Sequence, residues 1–119
     1  MNLVVDSGNS AIKVAIFDHQ KLMDKLTFPI LEELRSFMQT GTYEHLIISS
    51  VKGDESLIKS WGAKAGNQYV LKKDLPLPVR NLYKTPDTLG ADRIAAACGA
   101  HQLFPETDCL IIDAGTCIT

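Results

Sequence analysis

The chain has 119 residues, 45% hydrophobic and 22% charged, and its 12 Lys and Arg against 14 Asp and Glu give a net charge of −2. That is the size and composition of one globular domain able to bury roughly two thirds of its unfolded surface. No stretch is strongly basic, which speaks against nucleic-acid binding. No apolar run has the length of a membrane span or the form of a signal segment, so a cytoplasmic protein without a membrane partner is expected.

Residues 2–6 are apolar and β-branched, end in an acid and run into Ser7-Gly8-Asn9-Ser10. That is the pattern of a buried strand followed by a tight turn. Ala11 to Phe17 and Lys21 to Phe28 read as second and third strands, with the turn Asp18-His19-Gln20 between them and Pro29 ending the third. Leu31, Leu34, Phe37 and Met38 fall on one helical face, and Gly41 closes that helix. His45 to Val51 is another buried strand. Asp54 is the expected N-cap of a helix through Lys64, with Leu57, Ile58 and Trp61 inward. Gln68 to Leu71 reads as a short strand and residues 74–88, with three prolines, as an extended loop. A helix from Leu89 to Phe104 and a last apolar strand from Cys109 to Asp113 complete the order β-β-β-α-β-α-β-α-β. The fold class is therefore α/β: a mixed sheet with a three-strand opening meander and flanking helices.

Cys98, Cys109 and Cys117 are odd in number and form no C-x-x-C pair, so free thiols are expected. His19, His45 and His101 have no metal-ligand spacing.

One internal echo bears on chemistry. Val-Val-Asp-Ser-Gly-Asn-Ser at 4–10 resembles Ile-Ile-Asp-Ala-Gly-Thr-Cys at 111–117. An acid at the end of a buried strand, Asp6 or Asp113, can hold Mg²⁺ directly or through water. The glycine after it, Gly8 or Gly115, lets backbone N–H groups approach phosphate oxygens. Asn9, Ser10 and Thr116 add polar side chains, and Lys13 can turn a cation back toward the phosphates. A single Asp-x-Gly is also an ordinary hairpin turn; two copies after buried strands favour a grip on a polyphosphate from two sides. Neither G-x-x-x-x-G-K-[ST] nor G-x-G-x-x-G occurs, which argues against a P-loop kinase and a dinucleotide oxidoreductase.

Residues 83–93 place polar side chains where a helix begins. Tyr83 offers a ring face and a hydroxyl. Gly90 permits close backbone approach, Asp92 lies in the first turn where the helix dipole favours its charge, and Arg93 presents a planar fork suited to a carboxylate.

Three segments resemble one family, the type III pantothenate kinases of the actin/sugar-kinase/Hsp70 superfamily. Residues 6–13 resemble the family's D-x-G-N-[ST]-x-x-K, residues 83–93 its Y-x-x-P-x-x-L-G-x-D-R, and residues 113–119 its D-x-G-T-x-x-T. Ser10 replaces the commoner Thr and keeps the hydroxyl. The resemblance implies a ribonuclease-H-like, actin-type ATPase domain over 1–119, with the family's second domain absent from this chain. It implies phosphorylation of pantothenate by ATP, the first step of coenzyme A synthesis, in a homodimer that uses Mg²⁺ and a monovalent cation, K⁺ or NH₄⁺. Asp6, Gly8, Asn9, Ser10 and Lys13 then belong to one phosphate loop and Gly115 and Thr116 to the other, with Asp6 and Asp113 toward the metal. Asp92 matches the catalytic base, and Tyr83, Gly90 and Arg93 match pantothenate-binding positions. A chain that lacks the second domain is expected to be inactive by itself. Other readings are a catalytically inactive accessory factor for transcription and a kinase of another small molecule on the same fold.

Overall fold

A computed structural model of the chain describes residues 1–62, 64–72, 75–114 and 118. They fall into two compact units, Met1–Lys72 and Lys73–Thr119.

The first unit runs β1 (Asn2–Ser7), β2 (Ile12–Asp18), β3 (Lys21–Phe28), α1 (Leu31–Thr40), β4 (His45–Ser50), α2 (Glu55–Trp61) and β5 (Asn67–Val70). The strands form one sheet in the order β3-β2-β1-β4-β5. The short connections pair β1 with β2 and β2 with β3 antiparallel. The helical crossovers pair β1 with β4 and β4 with β5 parallel, as crossover geometry requires. The mixed sheet and its opening meander thus match the sequence reading.

Side chains alternate across the pleat. Leu3, Val5 and Ser7 of β1 are buried, while Asn2, Val4 and Asp6 between them are partly exposed. Leu3, Val5, Ile12, Val14, Leu46 and Ile48 from the sheet pack with Leu34 and Met38 of α1 and Ile58 of α2 into the core. The Phe28 and Phe37 rings, 5.3 Å apart between centroids, close the α1 side. All four apolar positions predicted for α1 join this cluster.

Two details of α2 differ from the sequence expectation. The helix ends at Trp61 instead of Lys64, at Gly62, where a Cβ would run into the Leu46 side chain. Leu57 is 48% exposed. A seven-residue helix aims a narrow face inward, and Leu57 sits about 100° round the axis from buried Ile58.

The second unit holds a single 3₁₀ turn at Pro86–Thr88 and α3 (Ala91–Leu103) among its described residues. Pro86 sits at the start of the turn, and Thr88 closes it with its backbone N–H and its hydroxyl on the Thr85 carbonyl, at 2.9 and 2.8 Å. The strand expected over Cys109–Asp113 is not formed: these residues are irregular, with Leu110 88% and Ile112 68% exposed. A strand exists through its ladder of hydrogen bonds, and among the described residues this unit has no strand to stand beside it. An isolated antiparallel bridge joins Ala114 to Ile118. Among the described residues no helix is long and apolar enough to cross a membrane.

Candidate functional site

The first group of candidate residues lies where β1 turns into β2. Asp6 stands on the sheet face opposite the core, because Val5 and Ser7 on either side of it point inward. In register it faces Lys13 on β2 and Ser49 on β4, the spacing at which cross-strand side chains interact. Beyond Ser7 the hairpin closes through the Gly8 N–H, which donates to the Ala11 carbonyl at 3.2 Å. A Cβ on Gly8 would meet that same oxygen at 3.2 Å, so the absence of a side chain keeps the turn tight. Asn9 and Ser10 at its tip are exposed. Asp6 and Lys13 line a shallow hollow of about 300 Å³ with Lys25 and Thr27. Its two ammonium groups and one carboxylate give it a net positive character suited to an anion.

The second group starts α3. Gly90 is its N-cap residue and Asp92 lies in its first turn. The Asp92 carboxylate accepts the Arg93 backbone N–H at 2.9 Å, and a Cβ on Gly90 would collide with that carboxylate. Glycine is thus what leaves room for the acid to fold back over the helix start, where the unpaired N–H groups and the dipole stabilise negative charge. Arg93 and Asp113 line one hollow of about 380 Å³ with Ala96, Ile111 and Ile118. Arg93 is exposed, and its planar guanidinium fork has the geometry to bind a carboxylate. Tyr83 is half exposed, and its backbone N–H donates to Asn81 Oδ1 at 2.9 Å. Gly115 and Thr116 lie outside the described residues.

Among the described residues no three His, Cys, Asp or Glu side chains gather into a metal-binding group. Mg²⁺ does not require one, since it is usually held by one or two carboxylates together with substrate phosphates and water. Asp6 and Asp113 each fit that donor chemistry as single, exposed or half-exposed carboxylates.

The family model for type III pantothenate kinase matches residues 2–119. This chain belongs to that family. It is 38% identical over 122 residues to a type III pantothenate kinase of Bacteroides fragilis, 41% over 122 residues to one of Phocaeicola vulgatus, and 40% over 121 residues to one of Cytophaga hutchinsonii. Each match covers 100% of this chain and 50% of the relative. The chain spans about half the length of the curated relatives it matches.

One polar cluster escaped the sequence reading. Asp54 holds the N-cap position of α2, yet its carboxylate makes no capping bond. It accepts instead from the Ser7 hydroxyl at 2.8 Å and from the Ser50 hydroxyl at 2.6 Å. The available signal was a serine at a position where the β1 alternation calls for an apolar residue.

Proposed function

We propose that this chain carries the phosphate loop and the pantothenate-recognition segment of an enzyme that phosphorylates pantothenate with ATP, the first step of coenzyme A synthesis. The observation that carries the reading is the family match over residues 2–119, which takes in both the Asp6–Lys13 turn and the Tyr83–Arg93 segment. The finer reading is an actin-type ATPase fold in a cytoplasmic homodimer that uses Mg²⁺ and a monovalent cation, K⁺ or NH₄⁺.

Phosphoryl transfer depends mainly on positioning and on neutralising phosphate charge. Asp6 and Asp113 are the residues to hold Mg²⁺, which supplies charge neutralisation on the phosphates when bound. Lys13 meets phosphate charge beside Asp6, where the Gly8–Ser10 turn approaches the phosphates, and Gly115 and Thr116 match the family's second phosphate-binding motif. Arg93 binds the pantothenate carboxylate, with Tyr83 and Gly90 shaping the space around the substrate. Asp92 orients the acceptor hydroxyl and takes its proton. An ionised carboxylate is a weak base toward an alcohol, and in a loose transition state orientation outweighs base strength. The test is phosphate transfer from labelled ATP to pantothenate by the full-length protein, with Asp92→Asn as the matched control. Transfer that Asp92→Asn abolishes supports the reading; absence of transfer by the unaltered protein overturns it.

A further inference from the structure

Ser7 is the one buried polar side chain among the described residues. It is also the residue between Asp6 and Gly8, so whatever holds Ser7 sets how the strand leaves the sheet. Three observations converge on it. Ser7 and Ser50 are register partners at the ends of parallel strands β1 and β4. One carboxylate, that of Asp54, accepts both hydroxyls, at 2.8 and 2.6 Å. The backbone repeats the tie, since the Val51 N–H donates to the Ser7 carbonyl at 3.2 Å and the Lys52 N–H to Ser50 Oγ at 3.0 Å.

A plain N-cap aspartate turns its carboxylate onto the first free amides of its helix. Asp54 has the position and forgoes that bond, so both its oxygens serve the strand ends instead. Hydrogen bonds from hydroxyls to an ionised carboxylate are short and stronger than neutral ones. This one sits at the carboxyl ends of parallel strands, where open α/β sheets place their ligands.

We propose that Asp54 is a positioning residue for phosphate binding: by clamping Ser7 and Ser50 on the core face, it fixes the direction in which Asp6 and the Gly8–Ser10 turn leave the sheet toward the nucleotide. The inference rests on the phosphate-loop assignment above. Asp54 touches no substrate in this scheme; it acts through Ser7.

The test compares Asp54→Ala, Asp54→Asn and Ser7→Ala in the full-length protein by two readouts that need no turnover. The first is amide exchange at Gly8 and Val51, with Leu46 and Ile48 in mid-β4 as internal references. Loss of the clamp should speed Gly8 and Val51 about tenfold relative to those references, the factor expected for one or two bonds to a charged group. The second is ATP affinity by calorimetry. It should fall about tenfold in Asp54→Ala and somewhat less in Ser7→Ala. Asp54→Asn should restore most of it, because an amide can still serve both hydroxyls by accepting from one and donating to the other. Ser7→Ala is nearly isosteric and keeps the test alive if Asp54→Ala does not fold. Equal acceleration at all four amides, or unchanged ATP affinity in variants with lowered melting points, would mean a merely structural role and overturn the proposal. If the unaltered protein binds ATP but transfers no phosphate to pantothenate, the kinase reading fails and the clamp is still decided by these two readouts. If it does not bind ATP, both fail.

Discussion

Residues 1–72 and residues 73–119 contain the same kind of sequence pattern and treat it in opposite ways. Val4-Val5-Asp6-Ser7-Gly8 becomes β1, the middle strand of five, with β2 on one side and β4 on the other. Ile111-Ile112-Asp113-Ala114-Gly115 has nearly the same pattern, yet residues 111–113 are irregular and Ile112 is 68% exposed. The first unit buries ten hydrophobic side chains in one cluster. In the second, Ile94 alone is buried among the described residues, while Leu103, Phe104, Leu110 and Ile118 are mostly exposed. A strand pattern is a statement about which face is apolar, and its realisation depends on neighbours that the pattern itself does not contain. The contrast extends to charge. In the first unit Asp54 is doubly hydrogen-bonded at the edge of the core, whereas in the second Arg93 and Asp113 lie on an open hollow. Stability should therefore be concentrated in the first unit, and substitutions at the start of α3 should change chemistry with little effect on folding.

The largest expected effect breaks or upholds that division directly. Leu34→Ala, at a fully buried position, should lower the unfolding free energy by about 2–5 kcal/mol through lost transfer energy and a residual cavity. Leu110→Ala should change it by no more than about 0.5 kcal/mol, as for exposed positions generally. Denaturant unfolding followed by fluorescence of Trp61, the one tryptophan, reads the first unit because that ring packs on its core. Comparable losses from the two substitutions would contradict the division.

Next in size is Asp92→Asn in the full-length protein. It keeps the side-chain shape and removes the charge, and kcat should fall by about a hundredfold or more, the usual range for a general base. The melting temperature should stay within a degree or so, since Asp92 is exposed and surface changes are usually small. A variant that keeps its kcat would move the base role elsewhere, with Asp6 or Asp113 the next candidates.

The smallest effect is a pH dependence in the first unit. The Met1 ammonium lies 3.1 Å from Glu44 Oε1, and that hydrogen bond and its charge hold the Glu44 carboxyl below the usual glutamate range. A carboxyl lowered on folding adds stability that is complete above its unfolded value and is lost as the pH falls through the folded one. Glu44→Gln should therefore lower stability slightly at neutral pH and leave it unchanged at the acid end, where the pair is already lost, which makes the acid limb a little shallower; the effect is small because the pair is solvent-exposed. Melting temperatures of both proteins across the acid range check this. A Glu44→Gln curve parallel to the original would show that the pair contributes nothing.

Much of the fold was legible because its signals are local. The apolar, β-branched run of residues 2–6 and the helical spacing of Leu34, Phe37 and Met38 are each visible within a few residues. Two features that the sequence did not reveal depend on residues far away in it. Nothing within Cys109–Asp113 says whether another strand lies beside it. Nothing at Asp54 says that its carboxylate will reach Ser7, 47 positions earlier, instead of its own helix. At the site, Asp92 and Arg93 were legible as polar residues in the first turn of a helix, since a first-turn acid is a local feature; that helix was expected from Leu89 and starts at Ala91, with Gly90 as its N-cap residue. The collision geometry was not legible, because the space that Gly90 leaves for the Asp92 carboxylate appears only once the helix is built.

The measurement that tests the central claim most directly is the steady-state kinetics of Arg93→Ala in the full-length protein, with ATP and pantothenate varied separately. A charge-assisted pair between guanidinium and carboxylate is worth on the order of 2–3 kcal/mol. The KM for pantothenate should therefore rise about thirtyfold or more while that for ATP changes by less than about threefold. Equal rises for both substrates, or a rise for ATP alone, would contradict the assignment of Arg93 to the pantothenate carboxylate.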